Sequence, residues 1–250
     1  MKQGVLLFCF NTPEVKYHRI LERCVSLIKK NLKLEITVVT NFATYKELAP
    51  MGMINYKLIE NETRNTLMGK PWYQTERHMA YELSPYDQTL LMDIDYFCFT
   101  DNLLELLKIN DDFLIHDKAY DLCAGKKGLE YRNKSIIPIL WATVIVFKKT
   151  ERTKNIFDFV NYVKLHYEYF CNLYRLDYSN YRNDYAFSIA LNQINGHRLQ
   201  KYLPGKLSTL PRIAKILEFS ESGLVYSYNN KIGKVENQDV HVLNKEVADV

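Results

Sequence analysis

The apolar positions of this chain follow two spacings, one typical of buried strands and one typical of helices. Residues 5–10 form an apolar run of strand length, and the β-branched run Glu35–Thr40 forms a second. Apolar residues recur between them at helical intervals, namely Ile20, Cys24, Leu27 and Ile28. A strand, a helix and a strand in succession predict a βαβ unit and therefore an α/β sheet.

The second half of the chain continues the alternation. Residues 136–147 predict another buried strand, and 103–107 predict a short helix. One long helix is predicted by a single apolar stripe, formed by Ile156, Phe159, Val160, Val163, Tyr167, Phe170 and Tyr174. A further helix is expected to begin at Asn183 and Asp184. In residues 218–250, glycine and asparagine separate short β-like pieces, so we expect this segment to fold back as a hairpin over the active site.

Length and composition favour one compact enzyme domain that spans residues 1–250. The chain is 47% hydrophobic and 25% charged, which is ordinary for a globular protein that buries a sizeable core. The apolar opening run is too short for a signal peptide core. The longest apolar stretch, 136–147, contains Pro138 and is shorter than the roughly 20 residues of a membrane helix. We therefore expect no membrane span.

Cysteine usage indicates a reducing compartment. The chain has five widely separated cysteines, Cys9, Cys24, Cys98, Cys123 and Cys171, with no C-x-x-C pair. This pattern suggests neither a disulfide framework nor a zinc ribbon. We expect a cytoplasmic protein.

An acidic pair is the most informative chemical feature. Asp93 and Asp95 follow the apolar run 89–92. Because successive strand residues point to opposite faces, both carboxylates are expected to face the same way. Two hard oxygen ligands at the end of a buried strand suit a divalent cation that also binds phosphate oxygens. The alternative is an ordinary acidic strand end, because this spacing also occurs by chance.

The surrounding segment, residues 77–95, adds a family resemblance. Arg77 opens a predicted helix, a turn with Tyr86 follows, and the buried strand then ends in Asp93-Ile94-Asp95. In this order the segment resembles the GT-A glycosyltransferases, especially the retaining, glycogenin-like ones. The resemblance implies a Rossmann-like nucleotide-diphospho-sugar transferase fold, with a mixed central sheet flanked by helices. It also implies a Mn²⁺ or Mg²⁺ ion, a nucleotide-sugar donor, here expected to be a UDP-sugar, and transfer with retention.

The loop after the first predicted strand is a candidate nucleotide site. It contains Phe10, Asn11 and Thr12, with Tyr17 a few residues further on. In the resembled family the equivalent loop bonds to and stacks on the base, so these four residues are expected to contact the donor. The alternative is a plain helix N-cap followed by a surface tyrosine.

The same resemblance assigns metal and phosphate ligands. Asp93 and Asp95 are expected to bind the metal, with Asp93 also touching the ribose or a metal-bound water. Near the C-terminus, His241 fits a third metal ligand and Lys245 a phosphate ligand, although the family's glycine is replaced, most nearly by Asn244. A surface histidine is the alternative for His241.

Further candidates surround the reacting groups. Arg77 and Lys70 are expected to stabilise the negative charge that develops on the departing diphosphate. Lys70 has the alternative of a solvated loop lysine. The resembled family carries an Asp at the head of the corresponding helix, and the resemblance therefore implies that Asp184, with Asn183, contacts the donor sugar or the acceptor as a catalytic residue. Alternatively, Asp184 only improves the helix N-terminus, by up to about 1 kcal/mol.

The acceptor side departs from the resembled pattern. The family's Asn-x-Gly is replaced here by Trp141-Ala142-Thr143. Trp141 and Thr143 are expected to line the acceptor site, although a strand tryptophan is at least as often part of the core.

Basic residues suggest an anionic acceptor. The net charge is +4, and residues 197–217 carry basic but no acidic side chains. The predicted nucleic-acid-binding residues are Lys126, Lys127, Arg198, Lys201, Lys206 and Arg212. The small Lys-, Asn- and Tyr-rich chain also resembles the tailed-bacteriophage enzymes that glycosylate hydroxymethylcytosine in DNA, acting in the host cytoplasm.

The sequence therefore predicts a metal-dependent glycosyltransferase, with 5-hydroxymethylcytosine in phage DNA as the preferred acceptor. Two alternatives remain, namely a transferase for a saccharide or lipid-linked acceptor and a non-catalytic module that binds a nucleotide sugar or DNA. The identities of the nucleotide, the sugar and the metal stay open, as does the oligomeric state.

Overall fold

A computed structural model of the chain describes residues 1–48, 52, 54–60, 66–67, 70–71, 74–124, 137–177, 180–198 and 201–250. Within these ranges the strands are β1 Gln3–Cys9, β2 Glu35–Thr40, β3 Ile54–Leu58, β4 Thr66–Leu67, β5 Lys70–Pro71, β6 Gln88–Met92, β7 Tyr96–Phe97, β8 Phe113–His116, β9 Ala119–Asp121, β10 Trp141–Lys148, β11 Leu207–Leu210, β12 Lys215–Ser220, β13 Gly223–Tyr228, β14 Lys231–Glu236 and β15 Val240–Val242.

The helices in the same ranges are α1 Tyr17–Leu27, α2 Phe42–Tyr45, α3 Ala80–Leu83, α4 Leu103–Leu107, α5 Glu151–Leu165, α6 Tyr167–Tyr174 and α7 Asn183–Ile194. A π-helical turn, Ile28–Leu32, extends α1, and 3₁₀ turns occur at Arg77–Met79 and Lys245–Ala248.

Six of the described strands form a mixed central sheet in the order β3-β2-β1-β6-β10-β8. The first four strands are parallel, and β10 is antiparallel to both β6 and β8. The α/β class and the mixed sheet predicted from the sequence are thus confirmed. A parallel sheet is usually covered on both faces, and β6 is accordingly buried along its whole length.

The two faces of the sheet build two apolar clusters, because side chains alternate along each strand. On β1, Val5 and Leu7 belong to the cluster that contains the buried residues of α1. Leu6 and Phe8 belong to the other cluster, which contains buried residues of α5 and α7. Helices on both faces leave the strand ends as the place where loops can carry polar groups.

The single long helix predicted after residue 150 is wrong. The helix is interrupted at His166, which has the non-helical angles φ −118° and ψ 36°, so α5 and α6 are separate helices. Phe170 and Tyr174 are buried, whereas Tyr167 is only half-buried and its hydroxyl accepts a hydrogen bond from the Arg182 backbone at 3.0 Å. The break lets α6 pack apolar residues while Tyr167 holds the start of α7.

The C-terminal segment forms more than a hairpin. Strands β12, β13 and β14 form an antiparallel three-stranded sheet, and Asn229 and Asn230 make the turn between the last two with positive φ. Asparagine tolerates this left-handed backbone better than most residues. The chain then returns as β15, which lies between β7 and β11 in a second sheet of order β7-β15-β11-β9. This return brings residues near 241 to the end of β6.

None of the helices in the described part of the chain combines the length and apolar character that a bilayer crossing requires.

Candidate active site

The acidic pair lies in a tight turn and not on the strand itself. Strand β6 ends at Met92, the Asp93 backbone N–H donates to the Thr143 carbonyl at 2.8 Å, and the Tyr96 N–H closes the turn on the Asp93 carbonyl at 3.1 Å. The two carboxylates still point to one place, as expected, but a turn brings them together and not strand alternation.

His241 completes a group of atoms that could hold a metal ion together with these carboxylates. It lies on β15, and the next residue, Val242, donates its N–H to the Asp95 carbonyl at 2.9 Å. The His241 Nε2 atom is 3.3 Å from Asp95 Oδ1 and 4.0 Å from Asp93 Oδ2. One ligand atom of each residue lies within 4.8 Å of the others. Two carboxylate oxygens and an imidazole nitrogen suit a divalent cation, so the donor set fits the metal implied by the resemblance.

Two basic side chains hold the carboxylates from opposite sides. Arg77 is 1% exposed; its Nη1 donates to Asp93 Oδ1 and its Nη2 to the Thr143 carbonyl at 3.3 Å. Lys245 donates to Asp95 Oδ2. The contacts leave Asp93 Oδ2 and Asp95 Oδ1 facing His241.

For Asp95 and Lys245, the neighbouring charges shift the pKa more than burial does. Burial alone raises the pKa of Asp95, but Lys245 and His241 more than offset it, so that the pKa lies well below its ordinary value. Burial lowers the pKa of Lys245, yet the Asp95 carboxylate raises it above the ordinary value. Asp95 is therefore ionised and Lys245 charged at neutral pH.

A cleft of about 530 Å³ opens beside the acidic pair. Among the residues predicted from the sequence, those that line it are Phe10, Thr12, Tyr17, Arg77, Asp93, Asp95, Trp141, Thr143, Asn183, Asp184, Arg212, His241 and Lys245. The cleft thus gathers residues from both ends of the chain.

Asn11 is not among the lining residues. Its Oδ1 accepts from the His18 backbone at 3.0 Å, and its own N–H donates to Thr44 Oγ1 at 2.8 Å. The side chain therefore helps to organise the loop before α1, which resembles the capping alternative more than a donor contact. The Lys70 side chain lies outside the described residues.

The head of α7 forms one wall of the cleft. Asp184 Oδ1 accepts from the Ala142 N–H at 2.8 Å, and Oδ2 accepts from Arg182 at 3.1 Å. Asn183 is 7% exposed; its Nδ2 donates to the Gln74 carbonyl at 2.9 Å, and its Oδ1 has no hydrogen-bond partner in the described structure. Asp184 thus ties α7 to β10, while the Asn183 Oδ1 is a buried acceptor without a partner among the described residues.

The predicted basic residues do not form one surface around the cleft. Lys201 pairs with Asp111 at 3.3 Å, and Asp111 directly precedes β8. The start of β8 pairs with the end of β10 that lies opposite the cleft. Lys206 lies over the Tyr120 ring at 5.3 Å, and Arg198 lines a separate cavity of about 90 Å³. Only Arg212 of the described set lines the main cleft. Lys126 and Lys127 lie outside the described residues.

The path of the chain explains why the predicted basic residues do not form one surface. The Leu203 N–H donates to the Ile115 carbonyl and the Leu207 N–H to the Lys118 carbonyl, so residues 201–210 run along β8 toward β9. Basic residues that are close in sequence are thereby spread along the length of the sheet.

Several lining residues were not predicted from the sequence, among them Gln74, Asp177, Asn180, Arg182 and Tyr185. Gln74 donates to Asp93 Oδ1 at 3.1 Å, and its carbonyl holds Asn183. Arg182 directly precedes the predicted Asn183-Asp184 pair, which is a usable signal. Nothing local marks Gln74, because its partners are distant in sequence.

No protein-family model and no curated protein matches the chain, but solved structures are similar to it. A structure of an active-site mutant of LgtC matches with a TM-score of 0.52 and 16% identity, covering 75% of this chain and 69% of that one. A structure of the galactosyltransferase LgtC in complex with donor and acceptor sugar analogues matches with a TM-score of 0.50 and 15% identity, covering 76% and 69%. The α/β chain, with its mixed central sheet flanked by helices, therefore has the fold of the GT-A glycosyltransferases.

Proposed function

We propose that this protein is a metal-dependent glycosyltransferase that moves a sugar from a nucleotide-sugar donor to a hydroxyl acceptor. The observation that carries the proposal is the convergence of Asp93, Asp95 and His241, with Arg77 and Lys245, in one cleft of a GT-A fold. A non-catalytic module has no evident need for three metal donors next to a buried arginine and a half-buried lysine, so we favour the enzyme over the binding module.

The metal site is proposed to consist of Asp93, Asp95 and His241, holding Mn²⁺ or Mg²⁺. When bound, such a cation stabilises the negative charge that develops on a departing diphosphate. The protein holds these donors through Arg77 on Asp93 and through the backbone bond between Val242 and Asp95. The donor atoms are therefore in place before a ligand arrives, which lowers the cost of binding.

The donor is proposed to be a UDP-sugar whose base lies against the β1 end of the cleft. Phe10, Thr12 and Tyr17 line that end, and burial raises the pKa of Tyr17, so its hydroxyl is a neutral donor at physiological pH. The Lys245 ammonium contacts Asp95 and can also reach a diphosphate that is bound at the proposed metal site. Lys245 and Arg77 then share the leaving-group charge.

The sugar is proposed to lie against the head of α7. Asn183 lines this wall, and a sugar hydroxyl that reached its buried, unpartnered Oδ1 would satisfy an acceptor whose lack of a partner is costly. Asp184 positions this wall through Ala142. Retention of configuration is proposed on the resemblance to the glycogenin-like enzymes. In the transfer, the bond from the anomeric carbon to the phosphate oxygen breaks, a bond to the acceptor oxygen forms, and the proton of the acceptor hydroxyl goes to the departing diphosphate.

The acceptor is proposed to be a saccharide hydroxyl. The largely buried rings of Trp141 and Tyr185 line the cleft, and LgtC has been crystallised with an acceptor sugar analogue. Hydroxymethylcytosine in phage DNA remains the second acceptor; Arg212 at the cleft is the feature that favours it. The single domain of residues 1–250, closed by 218–250, and the cytoplasmic location stay predictions.

The test is incubation of the purified protein and Mn²⁺ or Mg²⁺ with a panel of nucleotide sugars. Each reaction contains one acceptor, either oligosaccharides or duplex DNA with and without hydroxymethylcytosine, and is followed by mass analysis. We expect metal-dependent release of a nucleoside diphosphate and a sugar-sized mass gain on a saccharide. A gain on hydroxymethylcytosine alone would select the DNA acceptor. No turnover of any donor, with or without an acceptor, would contradict the proposed activity.

A further inference from the structure

Thr143 on β10 is the point where the segments that carry the metal donors meet. Its carbonyl accepts from the Asp93 N–H at 2.8 Å and from Arg77 Nη2 at 3.3 Å. Its hydroxyl lies 3.4 Å from His241 Nδ1. Thr143 is 3% exposed. One buried residue thus contacts the acidic turn, the arginine that holds Asp93, and the histidine of β15.

The orientation of His241 decides which ring nitrogen can bind a metal. Nε2 faces the two carboxylates, at 3.3 Å from Asp95 Oδ1, and Nδ1 faces Thr143. A histidine binds a cation through an unprotonated nitrogen, and the partner of the other nitrogen fixes the tautomer and the ring plane. With Nε2 as the ligand, Nδ1 carries the proton and donates a hydrogen bond to Thr143 Oγ1. His241 is 6% exposed, so bulk water is a poor substitute for this acceptor.

The sequence departs from the resembled family at this position. The Asn-x-Gly pattern that is usual for this strand in the resembled family is absent, and the chain has Trp141-Ala142-Thr143 there. The hydroxyl of Thr143 is therefore available to contact His241.

We propose that Thr143 is a positioning residue, whose hydroxyl sets the orientation and tautomer of His241 for divalent-metal binding through Nε2. The inference rests on the metal site of the proposed function. It does not depend on the donor or the acceptor, because the contact involves neither. It differs from the sequence-based expectation, in which Thr143 lined the acceptor site.

The test measures Mn²⁺ affinity by isothermal titration calorimetry without donor or acceptor. Thr143→Val keeps the branched shape and removes the hydroxyl, whereas Thr143→Ser keeps the hydroxyl. We expect the valine variant to bind Mn²⁺ about tenfold more weakly or worse, and the serine variant to bind nearly as the wild type does. Thermal unfolding of each variant shows whether the fold is retained.

Thr209→Val is the matched control. Thr209 is opposite His241 in the pairing of β11 with β15, is 6% exposed, and donates its hydroxyl to the Tyr120 carbonyl at 3.2 Å. Its replacement removes a buried threonine hydroxyl from the neighbouring strand without touching the Nδ1 contact. We expect it to leave the Mn²⁺ affinity unchanged.

The outcomes separate this inference from the proposed function. Wild-type affinity in Thr143→Val would overturn it, and so would an equal loss in Thr143→Ser, because packing and not the hydroxyl would then matter. Absence of Mn²⁺ binding by the wild type would overturn both the inference and the metal site. The expected order of affinities in a protein that turns over no nucleotide sugar would support the role of Thr143 and contradict the transferase activity.

Discussion

Asp95 is the residue on which the proposed metal site depends most directly. It contacts both His241 and Lys245 and is 7% exposed. Loss of a residue that only supports a metal ligand typically costs roughly 10–100-fold. Because Asp95 is proposed to be a ligand itself, we predict that Asp95→Asn reduces metal-dependent donor turnover by more than this. The amide keeps the shape but is a poor ligand for a hard cation. Nucleoside diphosphate release across a Mn²⁺ titration measures the effect.

Asp112→Asn is the control for that variant. Asp112 accepts from Thr150 at 3.1 Å near the end of β10 opposite the cleft. Turnover should stay at the wild-type level in the control. Full activity of Asp95→Asn would count against Asp95 as a metal ligand.

Lys245 offers a second residue-scale prediction, because metal and ammonium compete for Asp95. We predict that Lys245→Met does not weaken Mn²⁺ binding in the absence of donor but slows donor turnover by about 100-fold. Loss of one group that stabilises developing charge typically costs 10²–10³-fold. Calorimetry and steady-state kinetics on the same preparation separate the two effects. Weaker Mn²⁺ binding would show that Lys245 supports the metal site instead of competing with the metal.

His116 predicts a pH dependence of stability. Burial lowers its pKa from 6.5 to about 4. The unfolded state therefore binds more protons than the folded state between these values, so the free energy of unfolding falls as the pH falls through this window. The loss is about 3 kcal/mol in total. Urea unfolding across this window should show a flatter profile for His116→Gln than for the wild type.

His166→Gln removes an exposed histidine and serves as the control for His116. Parallel profiles of the wild type and His116→Gln would mean that His116 does not contribute to the acid loss of stability.

At the scale of elements, the site depends on how α7 is attached to β10. The attachment includes Asp184, whose Oδ1 accepts the Ala142 N–H, and Ser188, whose hydroxyl accepts the Leu140 N–H at 2.8 Å. Helix and strand are far apart in sequence, and these bonds set the position of Asn183 in the cleft wall.

We predict that Asp184→Ala lowers the free energy of unfolding by about 1–3 kcal/mol, because the Ala142 N–H loses its partner. Urea unfolding measures the change. Asp158→Ala on α5, which breaks an exposed pair with Lys154, should cost at most about 0.5 kcal/mol. Equal losses in the two variants would contradict the role of Asp184 as a link between the two elements.

The broken helix shows what an element-scale pattern leaves out. The apolar stripe from Ile156 to Tyr174 is continuous in sequence, yet the chain bends at His166. Tyr167 uses its hydroxyl to hold the Arg182 N–H, and this contact comes from another part of the chain. Periodicity within a segment contains no information about such a partner.

On the scale of the whole molecule, the positions of the described basic residues argue against a single DNA-binding surface around the cleft. Lys201 and Arg212 are eleven positions apart in the sequence but adjoin opposite ends of the central sheet. A duplex that reaches the cleft through Arg212 need not touch Lys201.

We predict that Arg212→Glu weakens acceptor use, whereas Lys201→Glu leaves donor turnover and acceptor KM unchanged. For a DNA acceptor, only the Arg212 variant should reduce the salt dependence of binding. Kinetics with the acceptor identified by mass analysis, together with DNA binding at several salt concentrations, measure both effects. Equal losses in the two variants would indicate that Lys201 and Arg212 belong to one continuous basic surface.

The sequence by itself determined the α/β class, the βαβ opening and the acidic pair. Each depends on short-range information: apolar spacing identifies strands and helices, and two carboxylates after a buried strand indicate a metal ligand pair. The strand Glu35–Thr40 has the predicted bounds, and the helix Leu103–Leu107 contains the leucines of the predicted short helix. The resemblance added His241 and Lys245 as candidates.

The tertiary structure decided which of these groups meet. Asp95 and Lys245 are 150 positions apart, and Thr143 is 98 positions from His241, yet each pair is in contact. It also bonded the Asn11 side chain to the His18 backbone, outside the lining of the cleft, and brought Gln74 to Asp93. Such contacts depend on the packing of whole elements, because the positions of side chains on different elements follow from sheet order and helix attachment and not from any local pattern.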